Sequence, residues 1–427
     1  MLSHYFTQAP WKRDPRLIAI NLRNNDLQAL APVIVLDGNQ RSALAVVRSL
    51  GSRGVPVHVA DSVARPLAAT SRFCASSALY PDAAASPEAF LRWLEDMARK
   101  HPQAVLMPMT DLTAPLVLEA GTRICGLRTA LPELAAYEAV SDKYQLSHIA
   151  QEVGVRAPAT LIVSRANLPG LASQPMSYPA VVKPRRSATR VASGIMKRPV
   201  RYAADAAELT RIATAELLDD TDELLVQEYV KGFGAGVFAL YDRGKPLFYF
   251  AHRRVREKPP SGGVSVVCES APLPEEGVEA ARRLLDALHW HGVAMVEFKI
   301  DAAGRSWLIE INARFWGSLQ LAVDCGADFP WFLYQIATGE QPVIPERYLV
   351  GGRLRWWLGD LDNLYARMRD RHWTPTVLDK ASAIFEFLSP WQPRTRYEFL
   401  RWNDPRPAVT AFQQYFAALT RSRSGAH

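Results

Sequence analysis

The segment 296–318, "VEFKIDAAGRSWLIEINARFWGS", constrains this chain more than any other. It reads as two strands about a turn at Ala303-Gly304, with Ala302 opposite Arg305. Successive side chains of a strand point to opposite faces. One face then carries Val296, Phe298 and Ile300 opposite Trp307, Ile309 and Ile311, and is apolar enough to require burial. The other carries Glu297 and Lys299, then Glu310, Asn312 and, where the strand extends, Arg314. In this register Glu297 lies directly across from Glu310, and like charges so placed destabilise a hairpin. A divalent cation between them turns repulsion into attraction. Two carboxylates and an amide oxygen are hard donors that suit magnesium, which also takes phosphate oxygens and water. The bland alternative is a pair of solvated glutamates separated by Lys299. Arg314 offers a planar fork for a phosphate or carboxylate.

The rest of the chain bounds what such a hairpin can serve. With 427 residues and 48% hydrophobic composition it is too long for one ordinary domain, and two to four are expected. No apolar run reaches the roughly 18 residues of a membrane helix. Residues 1–30 lack the apolar core and small-residue cleavage site of a secretory signal, so they are expected to form an extension or cap helix on a cytoplasmic protein. Cys74, Cys125, Cys268 and Cys325 are far apart and form no CxxC pair, which argues against zinc and for reduced thiols. Net charge is +7, with much of the excess in arginines after residue 345. They are dispersed and no nucleic-acid-binding motif accompanies them. A solvated face or anionic-substrate binding is therefore expected rather than a nucleic-acid surface.

Residues 31–61 alternate strand (33–36), helix (41–50) and strand (55–60), the start of a parallel sheet. The first turn, Gly38-Asn39-Gln40, lacks the GxGxxG of dinucleotide binders, so Asp61 at the end of the second strand does not signal NAD. A strand is expected at 104–107, a weaker one at 126–127, and helices at 87–100 and 111–121. Ser141 is the expected N-cap of a helix to about 153. "YPAVVKP" is a short buried strand ending in Lys183-Pro184. A helix at 205–218 precedes the strand "ELLVQEYV". Strands at 237–241, 246–251 and 264–268, a helix at 275–290 and the hairpin complete an antiparallel sheet. "REKPPSGGVS" is a surface loop by composition, and residues after about 340 look like an irregular helical appendage.

In order, Asp142-Lys143, "VVKP", "VQEYVKG", "VEFK" and "EINAR" resemble the ATP-grasp superfamily, which includes biotin carboxylase-like and D-alanine–D-alanine ligase-like enzymes. The resemblance covers residues 31–340. It is closest to bacterial carboxylate–amine (or thiol) ligase-type members in "GVFAL", "HRR", "PPSGG" and "EINARFWGS". It implies mixed α/β and α+β architecture. The expected parts are a Rossmann-like domain (31–130), an ATP-grasp domain (131–340) with a lid at about 157–230, and a C-terminal extension (341–427). Carried over, it implies ATP held by Lys143, Lys183, Arg185 and the hinge Glu228, Tyr229 and Val230. It implies Mg2+ (or Mn2+) on Glu297, Glu310 and Asn312, and Arg314 on the transferred phosphoryl group. His252, Arg253, Arg254 and Arg256 fall where relatives place cations over the γ-phosphate, with Arg254 favoured as catalytic. Two departures stand out. The phosphate-covering loop "RRSATRVASGIMK" has one glycine, and Ala235 and Gly236 occupy the place of a ribose-binding acid.

The implied function is an ATP-dependent carboxylate–amine ligase working through an acyl-phosphate, with a small-molecule acid and amine as partners. Neither membrane nor nucleic acid is an expected partner, and a homo-oligomer is compatible with the sequence. Phosphoryl transfer requires positioning and charge neutralisation more than a protein nucleophile, and neither GxSxG nor HExxH is present. The alternatives are activation of bicarbonate or carbamate and a non-catalytic nucleotide-binding module.

Overall fold

The computed structural model describes residues 30–424 apart from 188, 192–193, 197, 220–221, 261, 370–376 and 389–393. The extension expected at 1–30 lies outside these residues, apart from Leu30. No helix among the described residues is long and apolar enough to cross a membrane.

Four parallel strands open the chain: β1 (Val33–Val35), β2 (Val57–Asp61), β3 (Ser76–Leu79) and β4 (Val105–Met107), in the order β3-β2-β1-β4. β1 and β4 are wholly buried, which is why they read as unbroken apolar runs rather than alternating ones. The helix Arg41–Gly51 crosses between β1 and β2 and buries Leu44, Val46, Val47 and Leu50. β3 was not foreseen. It is exposed along its whole length and carries only "SSAL", with no periodicity to mark it. The strand expected at 126–127 is reduced to a single bridge, Val105 to Arg128.

A second sheet, order β5-β10-β6-β9, is built from β5 (Thr160–Val163), β6 (Ala180–Pro184), β9 (Arg201–Ala203) and β10 (Leu224–Glu228), all antiparallel. The helix Ala206–Glu216 packs Leu209, Ile212 and Ala213 against it. Between β6 and β9 lies a small hairpin of β7 (Thr189–Val191) and β8 (Gly194–Met196). The Ile195 amide donates to the Ala84 carbonyl at 2.9 Å, tying this hairpin to the N-terminal domain.

The largest sheet has seven strands in the order β15-β14-β11-β12-β13-β16-β17. They are β11 (Phe233–Asp242), β12 (Lys245–Lys258), β13 (Val264–Ser270), β14 (Gly292–Ile300), β15 (Ser306–Asn312), β16 (Arg353–Arg355) and β17 (Thr395–Tyr397). The β11–β12 turn, Arg243-Gly244, has φ of 46° and 80°, the double left-handed conformation of a tight two-residue hairpin. β12 runs on to Lys258, so the first part of the loop foreseen from "REKPPSGGVS" is strand. The helix Glu275–Ala287 covers one face through Ala281, Leu284 and Leu285.

The C-terminal residues are not a loose appendage. β16 pairs with β13, β17 with β16, and helices Trp357–Arg369, Val377–Leu388 and Arg406–Ser424 pack alongside. Several late arginines are structural. Arg355 and Arg256 both bind Asp360, Arg353 binds Glu269, and Arg396 and Arg401 bind Asp324. Arg48 of the N-terminal domain donates to Asp404, which is 1% exposed. Each of these arginines thus meets a carboxylate within the fold.

Candidate active site

Glu297 does face Glu310, but by a route the sequence does not suggest. The turn holds three residues, Ala302 to Gly304, because the Asp301 amide bonds the Arg305 carbonyl and Gly304 sits at φ 77°. Asp301 also accepts from the Ala303 and Arg305 amides, fixing this wider turn. Ile300 therefore pairs with Ser306 and Phe298 with Leu308, one residue away from the simple register. A bulge at Ile309 restores the count, so Glu297 pairs with Glu310 and Met295 with Asn312. The buried back is Val296, Phe298, Leu308 and Ile311. Leu308 takes the place expected for Ile309, which instead lines the cleft, and Trp307 is only half-buried. Each of these apolar side chains contributes roughly 1.5–3 kcal/mol on burial, a stiff support for the charged front.

That front opens into a cleft of about 510 Å³ between the lid sheet and the large sheet. Every predicted site residue except Arg185 lines it: Lys143, Lys183, Glu228, Tyr229, Val230, Arg254, Glu297, Glu310, Asn312 and Arg314. Lys143 begins the helix Lys143–Glu152. Its N-cap is Asp142, which accepts from the Tyr144 and Gln145 amides, not Ser141, which ends the preceding helix Leu134–Ser141. The Lys143 ammonium donates to the Ser187 hydroxyl at 2.8 Å, joining the helix to the segment after β6. Lys183 sits in β6 and is 5% exposed. Burial and the neighbouring Lys143 pull its ammonium down to about 8, against the pull of Glu310 and Glu297.

Arg185 points elsewhere. Its guanidinium is held by Asp142 at 2.7 Å and Glu223 at 2.5 Å, so it braces the N-cap of the Lys143 helix against the lid. Two of the cations expected over the γ-phosphate are also occupied away from the cleft, Arg253 by Glu269 and Arg256 by Asp360. His252 does line the cleft, but burial and Arg254 push it down to about 3, so it is neutral. It stacks on Phe238 at 4.7 Å and meets the Ser318 hydroxyl at 3.0 Å.

Arg254 reaches across the cleft floor to Glu297 at 2.6 Å and Glu257 at 2.7 Å. The repulsion between the facing glutamates is thus compensated before any metal is considered. Burial raises Glu297, Arg254 opposes it, and Glu310 adds to the rise. Burial also works to raise Glu310, but Lys143, the Asn312 amide at 3.0 Å and Lys183 outweigh it and hold Glu310 low. Among the described residues there is no group of three or more His, Cys, Asp or Glu fit for a metal ion. Glu297, Glu310 and Asn312 nonetheless line one cleft with space for phosphate oxygens and water. Two carboxylates and an amide oxygen are hard donors of the kind that suit magnesium or manganese.

Arg314 follows β15 and grips Asp111 with two nitrogens, at 2.8 and 2.6 Å, and the Asn312 oxygen at 3.0 Å. Asp111 comes from the N-terminal domain, which therefore meets the site through this fork. The residues expected as the hinge lie at the end of β10, where the Glu228 amide bonds the Ala159 carbonyl. Tyr229 and Tyr202 lie edge to face at 6.1 Å and both line the cleft. Arg41 also lines it. The sequence offered no sign of that, because its partners Glu398 and Trp356 lie more than three hundred residues away.

Comparison with known proteins follows the same lines. A family model described as "ATP-grasp in the biosynthetic pathway with Ter operon" matches residues 220–353. No curated protein sequence matches the chain. Among solved structures, the chain is similar to an L-amino acid ligase from Bacillus licheniformis (TM-score 0.58, 18% identity, 72% of this chain and 74% of that one). It is also similar to a biotin carboxylase–beta-gamma-ATP complex from Campylobacter jejuni (TM-score 0.58, 16% identity, 75% and 74%). A third is an N5-carboxyaminoimidazole synthetase from Staphylococcus aureus complexed with ADP (TM-score 0.58, 14% identity, 77% and 83%).

Proposed function

We propose that this chain, which has the ATP-grasp fold, is an ATP-dependent, ADP-forming ligase that joins a carboxylic acid to an amine. One observation carries this: Glu297, Glu310 and Asn312 share a single cleft with Lys143, Lys183, Arg254 and Arg314. Acids grouped to hold divalent cations and cations grouped to hold phosphate are what phosphoryl transfer requires.

In the mechanism we favour, the adenine and ribose lie toward Glu228, Tyr229 and Val230 and the phosphates toward Lys143 and Lys183. Glu297, Glu310 and Asn312 would hold magnesium, which when bound neutralises phosphate charge. A carboxylate oxygen of the acid attacks the γ-phosphorus, the bond to the β-phosphate oxygen breaks, and ADP leaves. Arg254 and Arg314 stabilise the charge on the equatorial oxygens in transit. The amine nitrogen then attacks the acyl carbon and loses a proton. A C–N bond forms, the C–O bond to phosphate breaks, and phosphate leaves. Two of the similar structures are named for carboxylation chemistry, which supports bicarbonate as a second candidate acid. The ample space beside Arg314 favours a larger acid.

The test is ADP release by the full-length protein with ATP, MgCl2 and a panel of acids paired with amines, with mass spectrometry of the product. Release that requires both an organic acid and an amine, and falls at least a hundredfold in Glu310→Gln, is expected. Release with bicarbonate alone would favour the second candidate. No acid-dependent release from any pair, or full release in Glu310→Gln, would overturn the proposal.

A further inference from the structure

A second cavity, of about 540 Å³, adjoins the cleft and shares Arg41, Val264, Arg314 and Gly317 with it. Its walls come from parts of the chain that the sequence gives no reason to group, and β13 supplies Val264. The N-terminal domain supplies Asn39, Leu67 and Met109, the loop after β15 supplies Gly317, and the C-terminal residues supply Trp356, Leu358, Phe399, Gln414 and Tyr415. A site of this size suits a small molecule.

Several of its polar groups already have partners within the fold. The Asn39 oxygen accepts from the Gln414 amide at 2.8 Å and from the Leu67 amide at 3.0 Å, closing one end. The Tyr415 hydroxyl donates to Asp362 at 2.6 Å, and Asp111 receives the Arg314 fork. The rest of the wall combines apolar side chains, Val264, Trp356 and Phe399 with the buried Leu67, Met109 and Leu358, and the polar Gln40, Ser42 and Thr110.

Arg41 stands where this cavity meets the cleft. Glu398, 2% exposed, holds one end of its guanidinium at 2.8 Å, and the Trp356 ring supports it at 4.3 Å. Its Nη2 finds, among the described residues, only the Ser265 carbonyl at 3.5 Å. It lies so close to Gly317 that a Cβ there would sit 2.6 Å from it. A buried carboxylate on one side and an aromatic face on another pre-orient this cation and leave donors to spare.

We infer that this cavity receives the acid to be activated, that Arg41 anchors its carboxylate beside Arg314, and that the C-terminal wall selects an acid with an apolar, preferably aromatic, body. This rests on the ligase function proposed above and names its substrate class. Arg41 meets the substrate. Trp356 both positions Arg41 and packs on the ligand. Glu398 is a positioning residue.

The experiment is calorimetric titration of acetate and of 3-phenylpropionate into the full-length protein saturated with MgADP, whose own affinity is measured first. Binding of 3-phenylpropionate at least tenfold tighter than acetate is expected. Trp356→Ala should erase most of that preference, and Arg41→Ala should weaken both acids tenfold or more, with partial recovery in Arg41→Lys. MgADP affinity should stay within twofold in all three variants, which also certifies folding. Should Arg41→Ala fail that check, the wild-type preference and Trp356→Ala decide. Equal affinity for the two acids, or a preference retained in Trp356→Ala, would overturn the inference while leaving the ligase proposal standing. Failure of the wild-type protein to bind MgADP would overturn both.

Discussion

Replacing Arg254 by methionine removes the cation that now balances the facing glutamates. Arg254 is 10% exposed and Glu297 15%, and the two meet at 2.6 Å. Removing one partner of a buried pair costs about 3–5 kcal/mol, because the other charge is left without compensation. Glu257 also loses its partner, but residual exposure of all three groups places the expected loss near the low end, about 3 kcal/mol. In urea that is a midpoint shift on the order of 1 M. Magnesium should restore part of this. A divalent ion on Glu297 and Glu310 supplies the missing positive charge, and binding that favours the folded state stabilises it by mass action. In the wild-type protein the same ion must compete with Arg254, so it gains less. The assay is urea unfolding of both proteins with and without 10 mM MgCl2. A gap that narrows with magnesium is expected. A gap of the same size in both buffers, or magnesium stabilising the two proteins equally, would refute the reasoning.

Three further outcomes follow from the geometry. The folded Lys183 ammonium is drawn down to about 8 while an unfolded lysine titrates near 10.4, so the unfolded chain binds more protons across that window. Unliganded stability should therefore gain up to about 3 kcal/mol from this group as pH rises through it, a gain absent from melting curves of Lys183→Met. MgATP affinity should fall over the same range as the charge is lost, and hold in Lys183→Arg. Asp360, 1% exposed, accepts from Arg256 at 2.6 and 2.8 Å and from Arg355 at 2.7 Å. Asp360→Ala should cost about 3–5 kcal/mol and expose the chain near residue 350 to limited proteolysis, with an unchanged digestion pattern as the contrary result.

How much of this was legible in the sequence depends on the range of the interactions involved. The strands flanking the cleft were visible because each is a short apolar run or an alternating one. The Glu297–Glu310 pairing was correct through two offsets that cancel: a turn one residue wider than expected and a bulge at Ile309. Asp301, whose side chain accepts from two turn amides, was the available sign of the wider turn. Asp142 is a better N-cap than Ser141 because it also meets Arg185, a contact with a residue 43 positions away. β3 escaped notice because it is an exposed edge with no periodic pattern. Arg41 and the late arginines escaped because their roles depend on carboxylates more than three hundred residues distant or on a different element.

The central claim is that Glu297 and Glu310 exist to hold divalent cations against a bound triphosphate. It is tested most directly by counting Mn2+ ions retained, by electron paramagnetic resonance, when the protein is saturated with a non-hydrolysable ATP analogue. Wild-type protein should retain Mn2+ in the ternary complex, and Glu297→Gln and Glu310→Gln should each weaken that retention at least tenfold while staying folded. Undiminished Mn2+ binding in both variants would contradict the account.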